Sequence, residues 1–314
     1  MNIIKPDDYD DRDLIEFLGQ QESQRIETGI YYADQIQERL SNGKALKGDK
    51  LPWSTSSEKV GFDGGQVTVW AGYNGHMKSM VLGQIMMWMA QTVKVGIASF
   101  EMPVIDTIER MIYQAAGCLP SQAFGKKWAE WSTDRVYMYD QLDTVPAARV
   151  LGVVFYMAKE LGIKHVVIDS LAKCGLAYGD GNAEKRFIDT LAAAAKALNI
   201  HIHLVTHLRK PTKAGTTVIP DKYDVKGAGE ITDLVDNVMI FWMDKKRSRL
   251  SRLQKAGNTL SADEMDYLDQ NPSHRLICEK QRHWEFEGTI PLWFDNVSLQ
   301  FTGDSSIRTI PFAI

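Results

Sequence analysis

Val67-Thr68-Val69-Trp70-Ala71-Gly72-Tyr73-Asn74-Gly75-His76-Met77-Lys78-Ser79 decides the fold of this chain. An apolar, β-branched run leads into a glycine-punctuated loop, and the loop opens a helical pattern that continues to about Thr92. This is the strand-loop-helix context of the pattern GxxxxGK(S/T). Glycine-rich backbone turns successive N–H groups toward phosphates at a helix N-terminus, the lysine adds a positive charge, and the hydroxyl binds a magnesium ion. Gly72, Lys78 and Ser79 match, with Asn74 and Gly75 inside the loop. Met77 stands where the pattern has glycine. A positive φ there costs about 1 kcal/mol or more, and the side chain has to point away from the phosphates.

Outward from this loop, short β-branched runs alternate with longer helical patterns. Val67 to Ala71, Val95 to Phe100, His165 to Ile168, His201 to Thr206 and Val238 to Trp242 read as buried parallel strands. Helices are expected near Ser79 to Thr92, Val104 to Ala116, Pro146 to Leu161 and Ala183 to Leu198. Such alternation implies an α/β fold with a parallel central sheet flanked by helices on both faces. Residues 1–48 form a short N-terminal helical arm, in which Ala33, Ile36 and Leu40 recur at helical spacing before Asn42-Gly43 as a stop. Leu51 to Ser57 reads as an irregular linker, and 49–314 as the main domain. A polar stretch at 244–274, without a clear apolar face, reads as a surface insertion; short strands return from Leu276 to Phe301.

Composition narrows the class. With 44% hydrophobic and 24% charged residues the chain is too apolar to be disordered. No run approaches the roughly 18 apolar residues of a membrane span, and the acidic stretch Met1 to Arg12 is no secretion signal, so a cytoplasmic protein is expected. Cys118, Cys174 and Cys278 form no CxxC pair and read as buried free thiols. The seven histidines make no HExxH motif, which leaves a metal-hydrolase reading without support. A net charge of −4 excludes a broad basic face for duplex DNA, so any nucleic-acid contact has to be local.

Four further elements follow the loop. Val166-Val167-Ile168-Asp169 is an apolar strand ending in a carboxylate, suited to orienting magnesium and equally to a plain cap. Glu101 ends the strand Val95 to Phe100, where it can polarise a water or simply complement the helix opening after Pro103. Thr206-His207 ends another strand, where a polar group can touch a γ-phosphate, although a lone histidine is more often structural. The chain after it, Arg209-Lys210-Pro211-Thr212-Lys213 and on to Lys226-Gly227-Ala228-Gly229, is a basic loop suited to a single-stranded backbone. Lys280-Gln281-Arg282 ends the strand from Leu276: an inert surface cation, or a finger reaching a neighbour's γ-phosphate.

Together these motifs resemble the helicase domain of the bacteriophage primase-helicases, the mitochondrial helicase Twinkle and, more distantly, the bacterial DnaB helicases. The resemblance runs from about Ala33 to Phe301 and rests on Trp70 to Ser79, Ser99 to Pro103, Val167 to Leu171, Val205 to Pro211, Val225 to Glu230 and Lys280 to Arg282. It implies a RecA-like P-loop ATPase core that uses ATP and Mg2+. Gly72, Asn74, Gly75, Lys78 and Ser79 would hold the nucleotide, with Ser79 and Asp169 on the metal. Glu101 would be the catalytic base, His207 the γ-phosphate sensor, and Arg282 the trans finger with Lys280 beside it. The loop Gly179 to Asn182 and the segment with Arg209, Lys210, Lys213, Lys226, Gly227 and Gly229 would line a DNA channel. The helix Ala33 to Leu40 would pack on a neighbouring subunit.

The implied activity is a replicative helicase, 5′–3′ in type, that forms a homo-hexameric or heptameric ring on single-stranded DNA. No zinc-binding cysteine set or primase-sized region precedes the ATPase, so the chain is expected to unwind without priming; a separate primase or polymerase is one partner the resemblance allows, and no membrane is expected. The alternatives are a RecA-like DNA-dependent ATPase for recombination or helicase loading, and a regulatory KaiC-like ATPase, against which the basic loop weighs.

Overall fold

The computed structural model describes residues 10–22, 28–41, 47–176, 181–209, 218–309 and 311–314. In chain order the strands are β1 (Asp49–Lys50), β2 (Gly61–Phe62), β3 (Gln66–Gly72), β4 (Val95–Ser99), β5 (Val136–Tyr139), β6 (His165–Asp169), β7 (His201–His207), β8 (Asn237–Met243), β9 (His274–Gln281), β10 (Gly288–Phe294) and β11 (Phe301–Thr302). The helices are α1 (Asp11–Glu22), α2 (Ala33–Ser41), α3 (Lys78–Met89), α4 (Val104–Ala116), α5 (Gln122–Ser132), α6 (Ala147–Lys159), α7 (Gly181–Leu198), α8 (Ala228–Leu234), α9 (Lys245–Lys255) and α10 (Ala262–Gln270).

A nine-stranded sheet runs β11-β10-β9-β8-β3-β7-β6-β4-β5. The six strands from β8 to β5 are mutually parallel, and β9 to β11 extend the sheet antiparallel. Alternation along β3 shows why both faces are covered: Val67, Val69 and Ala71 enter one core with α6 and α7, while Trp70 enters the other with α3 and α4. A parallel sheet buried on both faces explains why these strands read as continuous apolar runs rather than alternating ones.

Several expectations are corrected. Within the arm, α1 packs on the domain's own α6 and α7. Its Leu14 is fully buried, its Phe17 ring lies 5.6 Å from Phe155, and Lys159 sits 4.0 Å over Phe17. By contrast α2 and the turn before it expose Ile30, Tyr31, Ile36 and Leu40. The segment Leu51 to Ser57 is irregular but no loose linker: Leu51, Trp53 and Ser56 are buried, and Trp53 Nε1 donates to the Phe301 carbonyl at 2.6 Å. The stretch 244–274 folds as the helical hairpin α9–α10 around a small cluster of Leu250, Leu260 and Leu268. Leucines so sparsely spaced show no apolar face in the sequence. Cys174 and Cys278 are buried free thiols, whereas Cys118 is exposed.

The ends of the sheet away from the P-loop hold a buried histidine network on β6 and β7. Trp70 Nε1 can only donate, so His203 Nδ1 accepts it at 3.1 Å. His203 Nε2–H then donates to His165 Nδ1 at 3.1 Å, and His165 Nε2–H to Asp49 at 2.9 Å, which ties β1 to the sheet. His201 Nδ1–H donates to the Asp63 carbonyl at 2.7 Å and its Nε2 accepts from Thr68 Oγ1. Every proton in this chain has one place to be, and an additional one would leave a buried cation. Burial accordingly pushes His201 down to about 3 and His203 well below the ordinary value, and elsewhere takes His76 to about 4 and His274 to about 3.

The loop after β3 closes by two positive-φ residues, Gly75 at 76° and Met77 at 65°. Met77 therefore occupies the left-handed conformation that its place in the pattern demands, despite its Cβ.

Two outcomes follow. Histidines with depressed folded values bind protons only when unfolded, so stability is full above about pH 6.5 and falls as pH drops toward 3–4. The slope is about 1.4 kcal/mol per pH unit for each such histidine. Guanidinium midpoints should be nearly flat from pH 8 to 7 and fall steeply from 6.5 to 5; a flat profile throughout would mean these histidines are not held neutral. At the loop, Met77→Val should cost about 1–2 kcal/mol because a β-branched residue resists positive φ, while Met77→Gly stays within about 0.5 kcal/mol. Equal midpoints for the two variants would refute the left-handed assignment.

Candidate nucleotide-binding and catalytic site

Parallel register assembles the site. Gly72 of β3 pairs with His207 of β7, and Ser99 of β4 with Asp169 of β6, so four strands end at one level. The crevice outside the carboxyl ends of parallel strands is where open α/β sheets bind ligands. The loop 73–77 crosses it, and α3 begins with Lys78 and Ser79 pointing back toward the strand ends. Gly72 is required there by packing: a Cβ would meet the Phe241 carbonyl of β8 at 2.6 Å.

Lys78 is the electrostatic centre. Its Nζ donates to the carbonyls of Gly72 at 2.9 Å and Tyr73 at 3.3 Å, and faces His207 Nδ1 at 3.4 Å. Burial lowers its pKa, while Asp169 and Glu101 act in the opposite sense. An ammonium only donates, so His207 Nδ1 is the acceptor and Nε2 carries the proton. That proton points at Glu101 Oε1, 3.3 Å away. Glu101 also accepts from Ser170 Oγ at 2.5 Å. The His207 bond, against the pull of burial and with help from Ser170, takes Glu101 down to about 2.

Asp169 behaves in the opposite way. It is almost fully buried at the end of β6, and desolvation raises its pKa, partly offset by the hydroxyl of Ser79, which donates to Oδ2. Two oxygen donors of the hard type, Ser79 Oγ and Asp169 Oδ2, thus lie in contact beside the loop. Oxygen-only donors from a hydroxyl and a carboxylate fit magnesium, which keeps most of its waters and takes one or two protein ligands. A small cavity bounded by Ser79, Leu82, Ser99, Thr107 and Asp169 continues beneath this pair. Ser99, to which the sequence assigns no role beyond opening the motif Ser99 to Pro103, holds a buried hydroxyl there with no hydrogen-bond partner among the described residues. His76 was likewise passed over: it is buried behind the loop and its Nδ1 accepts from the Met243 N–H of β8 at 3.0 Å. The phosphate-loop pattern leaves both positions unspecified, so no sequence signal marked them.

The basic segment leaves from this same edge. Leu208 bridges Val225, Arg209 N donates to the Asp224 carbonyl at 2.8 Å, and Lys226 N donates to the carbonyl of His207 at 3.0 Å. Both feet of the segment are therefore clamped to the end of β7. Arg209 and Lys226 are exposed or nearly so, and Gly227 caps α8 in the left-handed region. Lys210 and Lys213 lie outside the described residues, as do Gly179 and Asp180; Gly229 lies within α8.

Arg282 and Lys280 are elsewhere. The strand β9 runs antiparallel to β8, so its last residues stand at the end of the sheet opposite the P-loop. Arg282 pairs with Asp236 at 3.3 Å and donates to the Asp233 carbonyl at 3.1 Å. Lys280, expected as a companion cation, donates from Nζ to the carbonyls of Thr232, Asp233 and Val235 and so caps the C-terminus of α8. From Val67, which Asp236 also binds, to Gly72 is roughly 17 Å at about 3.3 Å per residue. Neither cation reaches its own chain's P-loop.

Residues 60–213 match the AAA domain family, which spans the P-loop, Glu101, Asp169 and His207. A DNA helicase/primase of Enterobacteria phage T3 is 25% identical over 238 residues, covering 66% of this chain and 42% of that protein, so the chain matches less than half of its relative. Among solved structures, a DnaB-like replicative helicase, described with its interactions with primase, superposes with a TM-score of 0.69 at 16% identity over 93% of this chain and 75% of that one. A second solved structure, described as an ATPase domain, gives 0.67 at 14% identity over 88% of this chain and 99% of that one. At those identities the two structures speak for the RecA-like fold alone; the AAA domain match and the phage homologue agree with the strand-end cluster, and together the comparisons support a helicase-type ATPase domain.

Proposed function

We propose that the chain is an ATP-dependent DNA helicase that assembles as a ring and moves along single-stranded DNA, hydrolysing ATP at subunit interfaces. The observation that carries the reading is the position of His207. Its ring stands between Lys78 and Glu101, and its own carbonyl holds a foot of the basic segment. A change at the phosphates is thereby one residue from a change in the segment offered to DNA.

In this reading Lys78 and the loop N–H groups bind the β- and γ-phosphates of ATP, and Ser79 with Asp169 hold magnesium, which neutralises charge developing in transfer. Glu101 orients the attacking water. As the water oxygen bonds to the γ-phosphorus, the bond to the bridging oxygen breaks, ADP leaves, and the water's proton passes toward the Glu101 carboxylate. A carboxylate held at about 2 is a poor proton acceptor. Turning His207 Nε2–H from Glu101 to a γ-phosphate oxygen raises the basicity of Glu101 as the substrate arrives, so His207 acts as a sensor and as a brake. Arg282, about a strand's length from its own P-loop, supplies the finger to a neighbour, and the exposed apolar face of α2 packs on that neighbour in turn. The 5′–3′ direction, a separate primase or polymerase and work in the cytoplasm of a host cell belong to the same reading.

Lys78→Ala should abolish phosphate release, and Met77→Gly should keep or raise it. Arg282→Ala should still bind nucleotide yet lose about a thousandfold in turnover. Mixed with Glu101→Gln, it should regain DNA-stimulated activity that neither variant has alone, because mixed rings contain interfaces where intact Glu101 meets intact Arg282. No recovery at any mixing ratio, with subunit exchange confirmed, would remove the trans role; turnover unaffected by single-stranded DNA would remove the helicase reading.

A further inference from the structure

The hairpin α9–α10 is used by none of the chemistry above, yet its charges are sorted. Within eleven residues α9 carries Lys245, Lys246, Arg247, Arg249, Arg252 and Lys255 and no acid. The acids gather on α10 instead, at Asp263, Glu264, Asp266 and Asp269. In a chain with a net charge of −4, such a run is no by-product of a basic composition.

The two helices do not neutralise each other. They pack through Leu250, Leu260 and Leu268, through Lys246 lying 3.8 Å over the Tyr267 ring, and through Arg247 Nε donating to the Leu268 carbonyl at 3.2 Å. Tyr267 also donates to Asp244, the N-cap of α9, at 2.8 Å. Those contacts consume Lys246 and Arg247 and fix the helix by its inner face. Lys245, Arg249, Arg252 and Lys255 remain exposed, at spacings of four, three and three that put them on one outer face. Among the described residues no carboxylate lies at ion-pair distance from any of the four.

The stripe is about 15 Å long at about 1.5 Å per residue. Along the axis of duplex DNA each strand carries a phosphate about every 3.4 Å, so the stripe is long enough to meet more than one of them. It also leaves the sheet from the carboxyl end of β8, the same edge from which the basic segment leaves β7. We infer that the outer face of α9 is a second contact for the phosphodiester backbone of DNA, separate from the β7 segment and outside the ATP site. This rests on the helicase reading for its partner, and on charge and geometry for its place.

The test measures fluorescence anisotropy of the full chain with a labelled single strand and with a labelled fork, across salt concentrations. Arg249→Gln, Arg252→Gln and Lys255→Gln are combined, all exposed positions away from the P-loop, and compared with Arg209→Ala, Lys210→Ala and Lys213→Ala combined. The α9 variant should keep its basal ATPase and assembly state while binding DNA about tenfold more weakly, with a salt slope lower by roughly 2. A loss confined to the fork assigns the stripe to duplex or displaced strand, and a loss on both probes to the bound single strand; either supports the inference. Unchanged affinity and slope in the α9 variant, with the β7-segment variant weakened, would overturn it while sparing the helicase reading. Wild-type chain that binds neither probe overturns that reading as well. A change in assembly without a change in DNA affinity would make the stripe a contact between copies and also overturn the inference.

Discussion

Everything at the candidate site depends on the parallel pairing of β4, β6, β3 and β7. A parallel ladder has one carboxyl edge, and register fixes which residues reach it together: Gly72 opposite His207, Ser99 opposite Asp169. A shift of one residue in β7 would turn His207 to the other face of the sheet and remove both its bonds. The apolar faces prevent such a slip, since Val67, Val69 and Ala71 on one side and Trp70 on the other all have filled positions to lose. Chemistry at the edge is thus set by packing some distance below it.

Given that edge, two carboxylates within reach of one lysine are driven apart. Asp169 loses solvent and rises; Glu101 gains His207 and Ser170 and falls. Carboxylates whose environments separate their titrations are how one site assigns two roles. Here one half of the separation, that of Glu101, comes from a hydrogen-bond partner that can move, and the other half from burial. The bond from His207 to Glu101 is 3.3 Å and partly exposed, whereas Asp169 is locked beneath Ser79. On the proposed roles, the water-orienting group is therefore the adjustable one, and the group that would hold the metal the rigid one.

Much of this was legible in the chain, and the reasons differ by element. The helix Val104–Ala116 and the ends of the parallel strands follow from periodicity and loop chemistry within a few residues, because burial on both faces leaves long apolar runs. Glu101, Asp169 and His207 were candidates because each is the polar residue after or ending such a run, and the structure brings those three to one edge. What escaped was tertiary. The strand Val136–Tyr139 is half-buried at the sheet edge and carries no strong pattern. The residues Leu51 to Ser57 look like a linker, since one buried tryptophan bond to Phe301 is invisible 248 positions away. The docking of α1 rests on Leu14 and Phe17, two residues in a polar segment. His165, His201 and His203 are scattered as a sequence and stacked as a structure, because adjacent strands bring residues at equal register together.

In the proposed ring, the cation Arg282 would let the same sheet serve two interfaces. Asp236 receives Arg282 with one carboxylate oxygen and the N–H of Val67 with the other, and its own N–H returns to the Val67 carbonyl. The first inward residue of β3 is thereby bolted to the arginine's anchor, while the last residue of β3 begins the P-loop. A strand buried on both faces cannot bend between these points without opening the core. Tilting of the P-loop in one subunit therefore carries its Arg282 along as part of the same body. In the proposed ring this has a direct consequence: a subunit that closes on its own ATP repositions the finger it presents to the next site. Communication around such a ring then needs no separate lever, since β3 is the rod that joins the site a subunit owns to the one it completes.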